Sequence, residues 1–179
     1  MTERATLAYI ALGANLGHRI GALRAAVEGL GAHPEIEGVR ASPVYQTEAH
    51  TLTPDEGQPP YLNAVVELGT TLSPEALLAY CHDLERAAGR QRRLRWRPRT
   101  LDLDLLVCGQ QVRQAPGLVL PHPHLGRRRF VLQPWADLAP NLYVPPPFDA
   151  SVAELLRRCP DADVPARTVY PFLESSKPS

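Results

Sequence analysis

Two aspartates stand two residues apart in the stretch 99–106, which reads Arg-Thr-Leu-Asp-Leu-Asp-Leu-Leu. The alternation predicts a strand on which Asp102 and Asp104 share one face and the leucines share the other. The two carboxylates then lie about 6.6 Å apart along the strand, and they repel by about 2.5 kcal/mol at an effective dielectric constant near 20. A divalent cation or an arginine clamp offsets that repulsion, and magnesium takes such oxygen ligands while keeping positions for substrate phosphates. The alternative is a solvated polar face of an amphipathic strand.

A basic segment leads into this strand. Arg92, Arg95 and Arg99 belong to a run of arginines that begins at Arg86, and Trp96 lies among them. Guanidinium groups bind phosphate oxygens through paired hydrogen bonds and stay charged at any working pH. A solvated basic loop and a nonspecific nucleic-acid patch are the alternatives. Arginines next to paired carboxylates favour a site for a metal-bridged polyphosphate.

Two weaker signals lie elsewhere in the chain. His122 and His124 are two residues apart, but no third metal ligand is evident, so we expect His122 to hydrogen-bond phosphate and His124 to be an exposed loop residue. The stretch 13–17, Gly-Ala-Asn-Leu-Gly, joins a predicted strand to a predicted helix. It lacks the known phosphate-loop and dinucleotide patterns, so alone it is a weak indication of phosphate binding.

Hydrophobic periodicity and turn residues predict the elements that position these side chains. The predicted elements are a strand Leu7–Leu12, a helix from Ile20 that ends at Gly31, a strand Val39–Thr47, a loop 48–60, a strand Tyr61–Leu68, a helix from Ser73 to Gly89, a strand Leu101–Cys108, short extended pieces over Val112–Leu120, one or two helical turns over Phe130–Leu138, and a helix Val152–Arg158. Ser73 is the expected N-cap of its helix, with Pro74 at the first helical position.

The order β-α-β-β-α-β is the ferredoxin-like arrangement. It predicts an α/β (α+β) protein with an antiparallel sheet, two helices on one face, and the other face free to carry a site. We expect one domain over residues 1–160 and a partly ordered C-terminal tail over 161–179.

Composition excludes several classes of protein. The 179 residues carry no net charge, so a global basic field for nucleic acid or an anionic membrane is missing. We see no secretory leader and no apolar run of the roughly 20 residues that span a bilayer. Three cysteines without metal-ligand spacing indicate reduced thiols in a cytoplasm.

Five motifs together resemble the 6-hydroxymethyl-7,8-dihydropterin pyrophosphokinases of folate biosynthesis. They are Tyr9–Gly17 (Tyr-Ile-Ala-Leu-Gly-Ala-Asn-Leu-Gly), Gln58–Ala64 (Gln-Pro-Pro-Tyr-Leu-Asn-Ala), Arg97–Asp104, Pro121–Pro123 and Arg128–Leu132. The resemblance implies a monomer that transfers pyrophosphate from ATP to the pterin hydroxymethyl group and releases AMP, using two magnesium ions. Its partners are then these two small molecules, with no nucleic acid and no membrane.

The resemblance also implies a role for individual residues. Asp102 and Asp104 are the implied magnesium ligands, and they are catalytic together with Arg92 and Arg95. The implied ATP-binding residues are His82, Glu85, Trp96, Arg99, His122 and Arg128. The implied pterin-binding residues are Thr47, Tyr61, Asn63, Trp96 and Phe130.

Departures from the family pattern leave some roles open. The arginine segment is about one residue shorter than in some members, so Arg93 and Arg95 compete for one role. Glu48-Ala49-His50 stands where a Pro-Pro-hydrophobic sequence is common, and no general base is evident. Two other functions remain alternatives: an RNA-binding module of the same topology, and a family member that acts only as a scaffold.

Overall fold

The structure is a computed structural model that describes residues 4–15, 17–48, 59–89 and 100–170. The strands are β1 (Thr6–Ala14), β2 (Ile36–Ala41), β3 (Tyr45–Thr47), β4 (Tyr61–Thr70), β5 (Asp102–Cys108), β6 (Arg113–Ala115), β7 (Leu118–Leu120), β8 (Tyr143–Val144), β9 (Ala150–Ser151) and β10 (Ala166–Arg167). The helices are α1 (Arg19–Ala32), α2 (Pro74–Ala87), α3 (Arg129–Leu138) and α4 (Val152–Arg158), and a 3₁₀ turn covers Leu125–Arg127.

The main sheet has the order β10-β3-β4-β1-β5, and β2 also pairs with β4. All of these pairings are antiparallel. β2 and β3 together take one place in the series, so the chain order is β-α-β-β-α-β with the last of these strands beside the first. The predicted ferredoxin-like arrangement is therefore confirmed.

The larger core lies between the sheet and the helices α1 and α2. Alternate side chains of β1 point into it, and so do the buried stripes of both helices. Its members include Ala8, Ile10, Leu12, Leu23, Leu30, Leu77, Cys81, Leu103 and Leu105. Ser73 accepts a hydrogen bond from the Ala76 N–H at 3.1 Å, and Pro74 follows it, so the predicted start of α2 is confirmed.

Helices α3 and α4 pack on the opposite face of the sheet and cover part of it. Trp135 of α3 is fully buried there, with its ring centroid 5.6 Å from that of Tyr9. Val65 and Val107 belong to the same second core. The rest of this face, at the end of β1 that leads to α1, carries Gly13 and its polar neighbours.

A bulge divides β5 into two parts. Leu105 pairs with Ile10 and Val107 pairs with Tyr9, so Leu106 has no partner on β1. The extra residue shifts the alternation of side chains. Asp102 and Asp104 therefore share a face with Val107, although each is an odd number of residues away from it and a regular strand would put them on opposite faces.

The structure differs from several predictions of local structure. Gly31 does not end α1, which continues to Ala32; the following His33 is extended, as expected for a residue before a proline. The predicted strand Val39–Thr47 is two strands, because Pro43 has no N–H for a ladder and interrupts the pairing with β4 between Ala41 and Tyr45. The predicted turn or two at Phe130–Leu138 is the ten-residue α3, which contains Pro134.

Ser42 stabilises the break between β2 and β3. Its N–H donates to the Val65 carbonyl and its hydroxyl accepts from the Val65 N–H, both at 2.9 Å. The Ser42 hydroxyl thus takes the place of a backbone carbonyl as the acceptor, and both the N–H and the C=O of Val65 stay hydrogen-bonded inside the protein.

Among the described residues, no helix is long and apolar enough to cross a bilayer. The three cysteines are all buried and none forms a disulfide.

Candidate active site

The uncovered part of the sheet gathers polar side chains in register. Gly13 pairs with Asn63 on one side and with Asp102 on the other. Two residues earlier on β1, Ala11 pairs with Asp104. Both aspartates therefore lie on the same face as Asn63, as the alternation of the sequence predicts. On β1, the central strand of the three, the residues on this face are Gly13 and Ala11. Their small side chains leave the space above the sheet open.

A cavity of about 550 Å³ lies over this face. Asn63, only 5% exposed, donates from Nδ2 to the Thr47 Oγ1 at 2.9 Å. This bond fixes the plane of the amide, and a Cβ placed on Gly13 would lie 3.5 Å from its Oδ1. Tyr61 and Phe130 add two aromatic rings to the wall. The cavity thus combines rings with one oriented amide, which suits a flat polar heterocycle.

A second cavity, of about 530 Å³, lies on the outer side of β5. His82, Glu85 and His122 line it, and so does Asp104, which also lines the first cavity. Asp104 therefore borders both spaces. A ligand in either cavity can reach it.

Glu85 holds the edge strand β5 against α2. The residue is 1% exposed, and its Oε1 accepts a hydrogen bond from the Leu103 N–H at 2.8 Å. β5 lies at the edge of the sheet, so an N–H on its outer side has no neighbouring strand. A buried carboxylate supplies the missing acceptor between the two aspartates.

His122 is neutral near pH 7. Burial, then the charge of Arg128 and then His124 lower the pKa of its imidazole to about 4, against a smaller opposing effect of Asp102. Its Nδ1 accepts a hydrogen bond from the His124 N–H at 3.2 Å. The proton of the neutral ring is therefore assigned to Nε2, which leaves a hydrogen-bond donor for a ligand.

Arg128 connects the aspartates to α3. Its Nη1 lies 3.6 Å from Asp104 Oδ2, and both side chains are about one-third exposed, at 34% and 35%. Its guanidinium carbon also lies 6.0 Å from the centroid of the Phe130 ring. A charge that is both partly paired and partly exposed can still bind a phosphate oxygen.

The structure brings most of the predicted site residues together. The first cavity contains Thr47, Tyr61, Asn63, Asp102, Asp104, Arg128 and Phe130. The second contains His82, Glu85, Asp104 and His122. Arg92, Arg95, Trp96 and Arg99 lie outside the described residues, and so does Arg93. The role of each residue stays a prediction.

Sequence reasoning missed several residues that line the first cavity. His124 is exposed in a turn, as expected, and it also lines this cavity, together with Glu48, Asp161 and Asp163. The spacing of His122 and His124 was a signal for a site, although a weak one. Nothing in the pattern of the tail indicates that its aspartates reach this cavity, because that depends on the path of the chain.

Asp102 and Asp104 fit a hard cation that takes most of its ligands from elsewhere. In the described parts of the chain, no three His, Cys, Asp or Glu side chains form a group that could hold a metal ion by themselves. Two carboxylates on one face supply only part of an octahedral shell. Such a donor set suits an ion that arrives with a substrate phosphate.

Comparison with known proteins agrees with this geometry. The chain matches the family model of 7,8-dihydro-6-hydroxymethylpterin-pyrophosphokinase over residues 9–140. It is 43% identical over 152 residues to the 2-amino-4-hydroxy-6-hydroxymethyldihydropteridine pyrophosphokinase of Pseudomonas aeruginosa, covering 85% of this chain and 91% of that protein. The Bacillus subtilis protein of the same name is 39% identical over 132 residues, or 74% of this chain and 77% of that one.

Solved structures share the fold. A crystal structure of HPPK-DHPS in complex with substrates superposes with a TM-score of 0.64 at 12% identity, over 86% of this chain and 44% of that chain. Wild-type Plasmodium falciparum HPPK-DHPS gives 0.63 at 11% identity, over 88% and 45%. This chain thus spans less than half of those longer chains. The family model covers well over half of it, and the chain belongs to the 7,8-dihydro-6-hydroxymethylpterin-pyrophosphokinase family.

Proposed function

We propose that this protein transfers the pyrophosphoryl group of ATP to the hydroxymethyl oxygen of 6-hydroxymethyl-7,8-dihydropterin, giving the pterin diphosphate and AMP, in folate biosynthesis. Family membership supports the reaction. The observation that carries the proposal is Asp104, which lines two adjoining cavities. A transfer between two substrates needs such a meeting point, where the donor phosphate and the acceptor hydroxyl come together.

The first cavity is the proposed pterin site. Asn63 presents an oriented amide to the donors and acceptors of a pterin edge, and its bond to Thr47 keeps that orientation. Tyr61 and Phe130 supply rings for the two faces of the heterocycle. A neutral pterin also fits a wall that holds several carboxylates, since it brings no negative charge.

The second cavity is the proposed nucleotide site. His122 offers an Nε2–H donor there, and Arg128, which lines the first cavity, offers a guanidinium beside Asp104, which borders both cavities. His82 and Glu85 line the same space from α2. From the resemblance we further propose that Arg92, Arg95 and Arg99 bind phosphates and that Trp96 contacts both substrates.

Asp102 and Asp104 are the proposed ligands of magnesium, two ions by resemblance to the family. Bound there, the ions would neutralise phosphate charge and make the transferred phosphorus more electrophilic. The protein itself aligns the reactants and excludes water, which is most of what phosphoryl-type transfer requires. Glu85 holds β5 in place, and Arg128 sits beside Asp104 where charge must be balanced.

The test is incubation of the protein with ATP, magnesium and the reduced hydroxymethylpterin, followed by chromatography for AMP and the pterin diphosphate. We expect equimolar products, and a loss of at least about 100-fold in turnover for Asp102→Asn and Asp104→Asn. Asp83→Asn is the matched control, because Asp83 is an exposed residue of α2 that pairs with Arg86. Near-normal turnover of both site variants at saturating magnesium would contradict the metal-ligand assignment.

The basic segment has its own test. For Arg95→Ala we expect a lower turnover number with a modest change in ATP affinity, because the guanidinium is proposed to stabilise charge in the transition state. Arg93→Ala is the matched comparison, since the two arginines compete for one role. An unchanged turnover number for Arg95→Ala would show that this arginine does not serve the transition state.

We also propose that the protein acts as a monomer in the cytoplasm. Three buried cysteines without a disulfide support a reducing compartment. Of the large exposed apolar side chains of the described residues, Leu7, Val112 and Tyr143 lie far apart in the sequence, and Val164, Val169 and Tyr170 lie in the C-terminal segment. Light scattering of the purified protein tests the monomer, and a second copy in the measured mass would contradict it.

A further inference from the structure

The C-terminal segment Cys159–Thr168, called here the strap, crosses the proposed pterin cavity beyond the end of the family match at residue 140. Asp161 and Asp163 line that cavity from the strap. The strap is mostly exposed, with Val164 at 78%, but Pro165 is buried. A proline in this place limits the backbone freedom that ordering the strap would otherwise cost.

One end of the strap is bonded to the start of α3. Arg129 donates from Nε to the Asp161 carbonyl at 2.8 Å and from Nη2 to the Cys159 carbonyl at 3.3 Å. Its backbone N–H donates to Asp161 Oδ2 at 3.2 Å. That N–H belongs to the first turn of a helix, where a carboxylate is a favourable acceptor. The next residue of the helix is Phe130, a wall of the cavity.

The other end of the strap extends the sheet. In β10, Ala166 pairs with Gln46 and Arg167 pairs with Tyr45. Thr168 adds two bonds to the Val44 carbonyl, from its N–H and from its hydroxyl, both at 2.9 Å.

The strand that β10 joins is part of the cavity. β3 ends at Thr47, the partner of the Asn63 amide. The strap therefore connects α3, which carries Phe130, to β3, which carries Thr47.

We infer that the strap is a positioning element for the pterin substrate: it holds the Phe130 and Thr47 sides of the cavity at a fixed separation and closes the remaining side with Asp161 and Asp163. The inference rests on the proposed function. Its specific consequence is that a change in the strap affects the affinity for the pterin and the affinity for ATP to different extents. The bonds described above reach Arg129, β3 and Val44, which do not line the second cavity, so we expect a loosened strap to weaken pterin binding more than nucleotide binding.

The experiment measures the dissociation constants of the reduced hydroxymethylpterin and of magnesium-ATP in the full chain, with the KM of each. Thr168→Pro removes the N–H and the hydroxyl that bond to Val44. We expect pterin binding to weaken at least about fivefold while ATP binding changes less than about twofold. Val169→Pro is the matched control, because Val169 is 97% exposed and a proline there favours the extended backbone at Thr168.

Asp163→Ala gives a second measurement if Thr168→Pro does not fold. Asp163 is exposed, so the variant tests the wall with little risk to folding; we expect pterin binding to weaken about threefold. Asp83→Ala on α2 is its control. Two results would overturn the strap inference alone, provided that the unmodified protein releases AMP. One is an equal loss of affinity for both substrates in the strap variants, and the other is an unchanged pterin affinity in these variants. A parent that binds no pterin and releases no AMP would overturn the proposed function as well.

Discussion

Replacement of Glu85 by alanine tests how the edge of the sheet is held. The Leu103 N–H, on a residue only 2% exposed, donates to Glu85 Oε1 at 2.8 Å. Alanine leaves this N–H without that acceptor and opens space between α2 and β5. Glu85 itself is 1% exposed, so the bond is shielded from bulk water in the parent protein.

The expected cost follows from these two effects. A buried N–H without an acceptor costs about 1–3 kcal/mol, and the space left by a truncated buried side chain costs about 1 kcal/mol or more. We therefore expect Glu85→Ala to lower the free energy of unfolding by about 3 kcal/mol, which is about 6–12 °C in Tm for a domain of this size. Turnover should also fall, because β5 carries Asp102 and Asp104.

The assay is urea unfolding, followed by far-ultraviolet circular dichroism, with the slope of the transition recorded as a check on two-state behaviour. Glu85→Gln keeps an oxygen acceptor for the Leu103 N–H and should lose less than about 1 kcal/mol. Glu28→Ala makes the same substitution at an exposed position of α1 and should change stability by less than about 0.5 kcal/mol. The reasoning is refuted if Glu85→Ala loses less than about 1 kcal/mol, or if the glutamine variant loses as much as the alanine variant.

Three further predictions concern the two cavities. Asn63→Ala removes the bond to Thr47 and should raise the KM of the pterin at least about tenfold while ATP is bound as before; an unchanged pterin KM would contradict the amide's role. Arg128→Met should change the free energy of unfolding by less than about 1 kcal/mol, because its pair with Asp104 is partly exposed. It should nevertheless lower kcat/KM for ATP about tenfold. Steady-state kinetics at varied ATP measure this, and an unchanged kcat/KM would contradict the prediction. His122 has a pKa of about 4 in the folded protein and near 6.5 when unfolded, so the unfolded state binds more protons between these values and stability is lost as the pH falls from 6.5 towards 4. Relative to His122→Gln, the parent should lose about 1 kcal/mol over that range after allowance for partial exposure, and parallel urea midpoints of the two proteins from pH 7 to pH 4.5 would contradict this.

Local patterns were sufficient for the parts of the site that lie on regular elements. The alternation around Asp102 and Asp104 correctly placed both acids on one face, because the side-chain period of a strand is fixed by its backbone. Ser73 and Pro74 likewise marked the start of α2 through contacts within a single turn. The resemblance to a family then indicated Asn63 and Phe130, which no periodicity could have selected.

Features that depend on distant contacts could not be predicted. The bonds between Ser42 and Val65 that stabilise the break after β2 join residues 23 positions apart. The length of α3 was underestimated because Pro134 removes a helical N–H, a loss that the packing of Trp135 in the second core offsets. Asp161 lines the cavity in a segment that Arg129 binds across the fold, 32 positions away in the sequence.

The bulge at Leu106 lets one strand serve two tasks that could otherwise conflict. On its N-terminal side, β5 presents acids to the open face; on its C-terminal side, the same face is apolar and lies under Trp135. An insertion or deletion at the bulge can be absorbed there without rotating either half, whereas one inserted residue between Asp102 and Leu105 would turn a carboxylate towards the helices α1 and α2. Length variation among homologues should therefore be tolerated at 105–107 and absent from 102–104, so that the covering helices can diverge while the acids keep their orientation.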